Sequence, residues 1–297
     1  MSNRRRYVGR FAPSPTGPLH FGSLIAAVGS YLQARVAKGR WIVRMEDIDQ
    51  SRIVPGADEQ IIRTLAAFGF EWDDEIIYQS NNLYRYSEVI SKLEQDGKIY
   101  PCSCSRALIA SSDEQRYPGT CRNGVTRPNE PVALRFRVES GSVEFVDALQ
   151  GLYAEDVTTT SGDFIVKRRD GHIAYHLAVV VDDADQGITE VVRGADLLSS
   201  TPRQILLQRA LRMPTPMYCH LPLAIDGEGK KLSKSAQSVP IDPAQASEVL
   251  WRALTFLRQA PPSELRSAGL VEIWGWAKQH WNLQSLRQVK SDSAPSP

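Results

Sequence analysis

The chain has 297 residues, of which 42% are hydrophobic and 23% are charged, a composition typical of soluble globular proteins. A net charge of +1 excludes a protein that binds polyanions over its whole surface, so any nucleic-acid site has to be a local patch. No apolar run has the length of a membrane span or follows Arg4–Arg6 as in a secretory signal, and we therefore expect a cytoplasmic protein.

The first predicted elements are a strand, a helix and a second strand. Residues 7–11 predict a short strand, and residues 23–38 carry apolar side chains at helical spacing. Residues 41–47 predict a second, buried strand that ends in acidic residues. This succession is typical of parallel strands, whose ligands bind beyond the carboxyl ends, where Arg10 and Glu46 would lie.

Helices are predicted at 58–68 and 82–97, and the character of the chain then changes. Residues 99–171 contain turns, scattered charge and short apolar runs, which we interpret as an insertion into the fold. The predicted strands beyond it cover residues 175–181, 189–193 and 219–225. Thr201 is predicted to cap a helix, further helices follow residue 242, and the residues from Lys290 onward are expected to be disordered.

A segment rich in proline and glycine, residues 10–22, separates the first strand from the first helix. Such a turn lets backbone approach a ligand, and the helix N-terminus behind it favours negative charge. His20 lies at this junction, where an imidazole can donate to a phosphate oxygen. An isolated His-x-Gly is more often an ordinary strand-to-helix turn.

The match is longer than His-x-Gly. The sequence Pro-Ser-Pro-Thr-Gly-Pro-Leu-His-Phe-Gly-Ser at 13–23 resembles the first signature of class I aminoacyl-tRNA synthetases, in the form that glutamyl enzymes use. Lys-Leu-Ser-Lys-Ser at 231–235 resembles the second signature, about two hundred residues downstream. Without the upstream motif, these lysines would be interpreted as a solvated loop.

This resemblance covers residue 10 to about residue 235 and implies an α/β class I synthetase fold without an anticodon-binding domain. The implied parts are a Rossmann-like catalytic domain of parallel strands over 1–98 and 172–226, a zinc-containing, acceptor-binding-like insertion over 99–171, and a signature loop with a helical region over 227–297.

The resemblance also implies that L-glutamate and ATP, with magnesium, are condensed to glutamyl adenylate. His20 and Lys234 match the catalytic positions, where charge on the phosphates is stabilised. The ATP-binding positions fall on His20, Gly22, Lys231, Ser233 and Lys234. The glutamate-binding positions fall on Arg10, Ala12, Ser14, Glu46, Tyr175 and Arg193. Val179 departs from the family, which commonly has asparagine there, so we expect an amide contact to be missing.

Three cysteines, Cys102, Cys104 and Cys121, lie in a turn-rich segment of about twenty residues. From spacing alone, a zinc site and three free thiols are both open. The resemblance implies one structural zinc ion, with Tyr117 as the fourth ligand. Cys219, alone on an apolar run, is predicted to be a packed core thiol.

About sixty residues follow Lys234, too few for the domain with which full glutamyl enzymes read the anticodon. This short architecture resembles the paralogues that attach glutamate to queuosine, the modified wobble base of tRNA(Asp). It implies a monomer that takes the anticodon loop of tRNA(Asp) into its groove, with Lys167, Arg168, Arg169 and Arg252 near phosphates. The alternatives are a shortened conventional glutamyl-tRNA synthetase, a small-molecule adenylyltransferase and a non-catalytic zinc-stabilised tRNA-binding paralogue.

Overall fold

A computed structural model describes residues 6–105, 116–225 and 239–293. Within these residues the α-helices are α1 Phe21–Val36, α2 Ala57–Ala67, α3 Leu83–Gln95, α4 Val157–Thr160, α5 Tyr175–Asp185, α6 Thr201–Leu211, α7 Ala246–Phe256 and α8 Leu270–His280. The strands are β1 Val8–Phe11, β2 Arg40–Met45, β3 Ile77–Tyr78, β4 Ile99–Cys102, β5 Ala133–Phe136, β6 Ser142–Asp147, β7 Gly151–Asp156, β8 Phe164–Lys167, β9 Glu190–Gly194, β10 Met217–Leu221, β11 Leu223–Ile225 and β12 Ser291–Ser293.

Parallel strands form the centre of the molecule. β2 pairs in parallel with both β1 and β3, and β10 pairs in parallel with β9. β9 lies beside β1, where the amide of Thr189 donates to the carbonyl of Val8 over 2.9 Å. The predicted α/β class with a parallel sheet is therefore confirmed.

The region between residues 99 and 171 contributes to two sheets. β4, β5 and β8 form an antiparallel sheet that carries the cysteine-rich turns. β6 and β7 form a hairpin, and β6 pairs in parallel with β10 through Tyr218 and Asp147. The hairpin thus extends the sheet that contains β9 and β10, which brings Asp147 close to the ends of those strands.

The prediction of a strand over residues 175–181 is wrong, because Tyr175–Asp185 forms helix α5. All residues from Leu177 to Asp183 are buried, and the helix packs against α3 and α6. Residues 177–181 in the middle of this helix are all apolar and buried, so this stretch lacks the polar stripe that identifies a surface helix.

Two further boundaries differ from the predictions. The run 219–225 is divided by Pro222 into β10 and β11, since proline has no N–H to donate to a continuing ladder. The residues after Lys290 are not disordered throughout, because β12 pairs in parallel with β11. This pairing lies directly before residues 226–238, which contain the second signature.

The C-terminal helices pack onto the N-terminal elements of the chain. α7 and α8 contact α1, and they share one apolar cluster with β1 and β2. Trp274 of α8 packs edge-on against Tyr31 and Phe70, and its indole N–H donates to the carbonyl of Phe68 over 2.9 Å. Among the described residues, no helix has the length and apolar character needed to cross a membrane.

Candidate active site

A cavity of about 680 Å³ opens at the carboxyl ends of β1, β2 and β9. This volume is within the range of small-molecule sites. All the predicted glutamate-binding residues line it, namely Arg10, Ala12, Ser14, Glu46, Tyr175 and Arg193. His20 and Gly22 of the predicted ATP site also line it. The other predicted ATP-binding residues, Lys231, Ser233 and Lys234, lie outside the described residues.

The first signature is tied to the end of β2 and to the start of α1. The carbonyl of Pro13 accepts from the amide of Glu46 over 2.9 Å, so the two strand ends hold one wall of the cavity. His20 caps α1, since its Nδ1 accepts from the amide of Ser23 over 3.3 Å. A Cβ on Gly22 would lie 3.1 Å from the His20 ring, so glycine leaves room for this arrangement. The helix N-terminus beside the cavity favours an anionic ligand.

Behind the cavity lies a buried group of two arginines and two aspartates. Asp183 of α5 accepts from Nε of Arg10 over 3.1 Å and from Nη2 of Arg44 over 2.8 Å. Asp182 accepts from the hydroxyl of Tyr86 over 2.8 Å and lies 3.8 Å from Nε of Arg44. Arg44, Asp182 and Asp183 were not among the site residues predicted from the sequence. A charged residue inside an apolar strand, and an acidic pair after an apolar run, were the available signals.

Glu46 reaches this group from the cavity side. Its Oε1 lies 3.7 Å from Nη2 of Arg44. Burial raises the pKa of Glu46 to about 7, although Arg44 and Arg10 act in the opposite direction. The pKa of Asp183 is lowered, because the two arginines outweigh the effect of its burial. The carboxylate at the cavity therefore titrates near neutrality, while the one behind it stays ionised.

Arg193, at the end of β9, is held by several buried acceptors. Its Nη2 donates to Oγ1 of Thr201 over 2.8 Å and to Oε1 of Gln204 over 2.9 Å, and its Nη1 lies 3.4 Å from the hydroxyl of Tyr175. The prediction of Thr201 as a helix cap is wrong, because Ser200 precedes α6 as its cap residue and Thr201 is the first residue of the helix. Its hydroxyl contacts Arg193 instead.

Val179 does not line the cavity. It is 1% exposed and belongs to an apolar cluster with other residues of α5. Asp183, which pairs with Arg10, lies one helical turn further along the same helix. The family's asparagine position is therefore occupied here by a core side chain.

The three cysteines converge on one point, with their sulfur atoms within 4.8 Å of one another. The sulfurs of Cys104 and Cys121 are 3.7 Å apart, close to the roughly 3.8 Å that tetrahedral zinc–sulfur bonds of about 2.3 Å require. The hydroxyl of Tyr117 lies 3.3 Å from the Cys102 sulfur and 3.7 Å from the Cys104 sulfur. The donor set therefore fits a zinc ion with Tyr117 at the fourth position.

The protonation of this cluster is uneven. The pKa of Cys121 is lowered to about 5, because hydrogen bonds from Thr126 and Ser103 outweigh its burial. Burial raises the pKa of Tyr117, and its oxygen accepts from the amide of Cys121 over 2.9 Å. A lowered pKa favours the thiolate of Cys121, the form in which cysteine binds metal.

A second cavity, of about 480 Å³, adjoins the first. Ser14, Glu46, Arg52 and Tyr175 line both cavities. His176 also lines the second cavity, and burial together with Arg203 and Arg193 lowers its pKa to about 3. Within the described residues, the buried Nδ1 of His176 and Nε of Arg203 have no hydrogen-bond partner. Polar atoms of this kind are suited to a polar ligand.

Two of the arginines that were expected near phosphates are already paired. Arg168 donates to Asp49 over 2.8 Å and to Asp170 over 2.6 Å. Arg169 donates to the carbonyl of Ser103. Arg168 still lines the second cavity, but its charge is partly neutralised by the carboxylates.

Comparison with protein families places most of the chain in one of them. Residues 7–257 match the catalytic domain of class I tRNA synthetases of the E and Q type. A glutamyl-Q tRNA(Asp) synthetase from Dechloromonas aromatica is 51% identical over 287 residues, covering 94% of this chain and 95% of the relative. A relative of the same name from Aromatoleum aromaticum is 49% identical over 293 residues, covering 97% of this chain and 93% of its own length.

Solved structures agree with the fold. A glutamate tRNA ligase from Elizabethkingia meningosepticum, crystallised with its amino acid, superposes with a TM-score of 0.80 at 22% identity. The match covers 98% of this chain and 67% of that one. The sequence resemblance to glutamyl class I synthetases is confirmed: the chain belongs to the class I tRNA synthetase family of the E and Q type, and within it to the glutamyl-Q tRNA(Asp) synthetases.

Proposed function

We propose that this chain activates L-glutamate with ATP and transfers the glutamyl group to queuosine at the wobble position of tRNA(Asp). The observation that carries the proposal is the convergence of Arg10, Glu46 and Arg193 in one cavity that adjoins a second polar cavity. The first cavity offers both charges that an amino acid with an acidic side chain needs. Family membership supplies the reaction class.

In the first step, an oxygen of the glutamate α-carboxylate attacks the α-phosphorus of ATP, and pyrophosphate leaves. Arg193 binds the side-chain carboxylate through a charge-assisted hydrogen bond from Nη1, because Nη2 already donates to Thr201 and Gln204. Glu46 accepts from the ammonium group of the substrate. His20 and the N-terminus of α1 face the phosphates. Magnesium, bound with ATP, would offset the charge of the phosphates, and Lys234 is the proposed partner of the leaving group.

In the second step, a hydroxyl of the queuosine cyclopentene diol attacks the activated carbonyl carbon, and AMP leaves. We assign the diol to the second cavity, because Ser14, Glu46, Arg52 and Tyr175 line both cavities and so connect donor and acceptor. The diol resembles the ribose diol that an ordinary synthetase acylates. The anticodon loop of tRNA(Asp) would then occupy the groove that receives an acceptor end in conventional enzymes, and the protein would act as a monomer.

The test is charging with labelled glutamate after an exonuclease has removed the 3′-terminal adenosine of the tRNA. We expect trimmed tRNA(Asp) with queuosine to be charged as well as intact tRNA(Asp). We expect tRNA(Asp) that carries guanosine in place of queuosine to remain uncharged, which is the matched control. Charging of tRNA(Glu) that disappears on trimming would instead identify a shortened conventional glutamyl-tRNA synthetase.

A further inference from the structure

Arg193 is connected to Asp147 through a buried histidine. Nε of Arg193 donates to Nε2 of His220 over 3.1 Å. Nδ1 of His220 lies 2.6 Å from Oδ2 of Asp147. His220 and Asp147 are 0% and 1% exposed, so water does not compete for these contacts. The three residues come from β9, β10 and the end of β6, which pair with one another.

The hydrogen-bond donors around His220 determine which nitrogen of its ring carries the hydrogen. Because Nε of Arg193 carries a hydrogen, Nε2 of His220 accepts it, and Oγ1 of Thr201 lies 3.3 Å from the same nitrogen. The hydrogen of the neutral ring therefore sits on Nδ1 and is donated to Asp147. A second proton on Nε2 would bring two donors and two positive charges together. Burial and the charge of Arg193 both lower the pKa of His220, whereas Asp147 raises it, and the net direction is downward.

Asp147 is itself held in place by backbone groups. Its Oδ1 accepts from the amides of Leu149 and Gln150 over 3.0 Å and 2.9 Å, and from the amide of His220 over 3.2 Å. Oδ2 is thereby aimed at the imidazole. The tight turn between β6 and β7 thus determines where the carboxylate lies.

The far side of the Arg193 guanidinium is the side that a ligand can reach. Nε faces His220, and Nη2 faces Thr201 and Gln204, so three of its five N–H groups have buried acceptors. Nη1 is directed toward the hydroxyl of Tyr175, which lines both cavities.

We propose that Asp147 and His220 are positioning residues that orient the Arg193 guanidinium for the side-chain carboxylate of glutamate. This inference rests on the proposed function, since it takes glutamate as the ligand. Neither residue contacts the substrate. Asp147 selects the tautomer of His220, and His220 in that tautomer accepts from Arg193.

The substitution Asp147→Asn tests this selection, because it keeps the shape and the accepting Oδ1 but places a donor opposite Nδ1 of His220. The ring then has to accept on Nδ1 and carry its hydrogen on Nε2, which faces the N–H of Arg193. We expect the KM for glutamate to rise about 10- to 100-fold, the scale of one hydrogen bond to a charged group, with kcat and the KM for ATP nearly unchanged. Glutamate-dependent ATP–pyrophosphate exchange measures all three.

Tyr218→Phe is the matched control. It removes a buried hydroxyl from the same strand, β10, two residues before His220, and the hydroxyl accepts from Gln208 rather than from the Arg193 chain of contacts. We expect a normal KM for glutamate in this variant. If the KM for glutamate rose as much in Tyr218→Phe as in Asp147→Asn, general loosening of the strand would explain both results, and the proposal would be overturned.

A measurement on the wild-type protein covers the case in which Asp147→Asn does not fold. Nitrogen-15 NMR of the histidine rings at neutral pH should find His220 neutral with its hydrogen on Nδ1. An imidazolium, or a hydrogen on Nε2, would overturn the proposal. Absence of glutamate-dependent exchange by the wild type would overturn the proposed function, whereas normal wild-type exchange with an unshifted Asp147→Asn would overturn only the positioning role.

Discussion

The carboxylate of Glu46 can hold either a proton or the ammonium group of the substrate, so the two compete for it. Arg44 and Arg10 supply positive charge on one side, while Asp182 and Asp183 add negative charge behind them. Burial is the largest influence and raises the pKa of Glu46 to about 7. An incoming ammonium group needs the ionised carboxylate, so substrate binding and loss of the Glu46 proton are linked.

We therefore predict that kcat/KM for glutamate depends on pH through Glu46. Because the raised pKa keeps the proton on Glu46 at lower pH, kcat/KM should fall about tenfold per unit below pH 7 and level off above it. Initial rates of pyrophosphate exchange between pH 5.5 and 8.5 measure this profile. Glu46→Gln should lower kcat/KM and remove the inflection.

Glu59→Gln provides the control for this profile. Glu59 lies on α2, its side chain is 70% exposed, and it forms an ion pair with Arg63, four residues later. We expect the wild-type inflection in this variant. If Glu46→Gln kept the same inflection, another group would be responsible.

The predicted residues are those that line the cavity at the ends of strands. The buried residues that hydrogen-bond to them were missed. Arg10, Glu46 and Arg193 were predicted from the resemblance to the glutamyl synthetases, and Arg10 and Glu46 were also expected at the carboxyl ends of parallel strands. Asp183 was missed because its helix was predicted to be a strand. His220 was missed because it lies within an apolar run, where nothing local indicates a polar partner such as Asp147, 73 residues earlier.

Helix α1 approaches the sheet closely at Gly29. A Cβ on this residue would lie 2.5 Å from Cδ1 of Leu221, at the end of β10. Leu221 is fully buried and also lines the first cavity. The glycine therefore sets the distance between the helix behind the first signature and the strand that carries His220.

We predict that Gly29→Ala destabilises the protein by about 1 to 3 kcal/mol, because the added methyl group forces Leu221 to move in a packed core. Gly275→Ala is the matched control. Gly275 also lies inside a helix, α8, but no described heavy atom lies within 4 Å of the added Cβ. Alanine should there stabilise the helix by up to about 1 kcal/mol. Urea unfolding of both variants measures the difference, and equal shifts would contradict the packing argument.

The elements that the sequence predicted well are those with one buried face. α3 has its apolar residues, Tyr86, Val89, Ile90 and Leu93, on one stripe, and its predicted span agrees with the structure to within two residues. α5 lacks such a stripe because α3, α6 and the sheet cover it. Only tertiary packing distinguishes a fully buried helix from a buried strand of similar composition.

The cysteine cluster borders the second cavity. Arg135 donates from Nε to the sulfur of Cys102 over 3.2 Å, and its guanidinium lies 3.7 Å from the centre of the Tyr117 ring. Arg135 and Tyr117 both line that cavity. The cluster, expected from the sequence to be purely structural, therefore supports a wall of the proposed acceptor site.

We predict one zinc ion per chain, and a larger loss of glutamate transfer than of glutamate activation when the metal is removed. Cys104→Ser should lower the zinc content, lower Tm and reduce charging of tRNA(Asp), while pyrophosphate exchange stays near the wild-type rate. We expect activation to be less affected because the first cavity, where glutamate is activated, shares only part of its wall with the second. Elemental analysis, thermal unfolding and the two activity assays measure these quantities.

Cys219→Ala is the control for the zinc prediction. Cys219 is fully buried in the sheet, away from the cluster, and it should be replaceable without loss of metal. Protein purified without chelators that contains no zinc would contradict the prediction. Equal losses of activation and transfer in Cys104→Ser would contradict the assignment of the metal to the second cavity.

The pairing of β11 with β12 determines when this part of the chain can fold during synthesis. The two strands lie about 70 residues apart, so at 5 to 20 residues per second a ribosome needs about 3 to 15 s between them. During this interval β11 leaves synthesis without its partner, and residues 226–238 follow it directly. The first signature also depends on later residues, because the amide of Ile241 donates to the carbonyl of Leu19 over 3.0 Å. Both signatures therefore acquire their final contacts only near the end of synthesis.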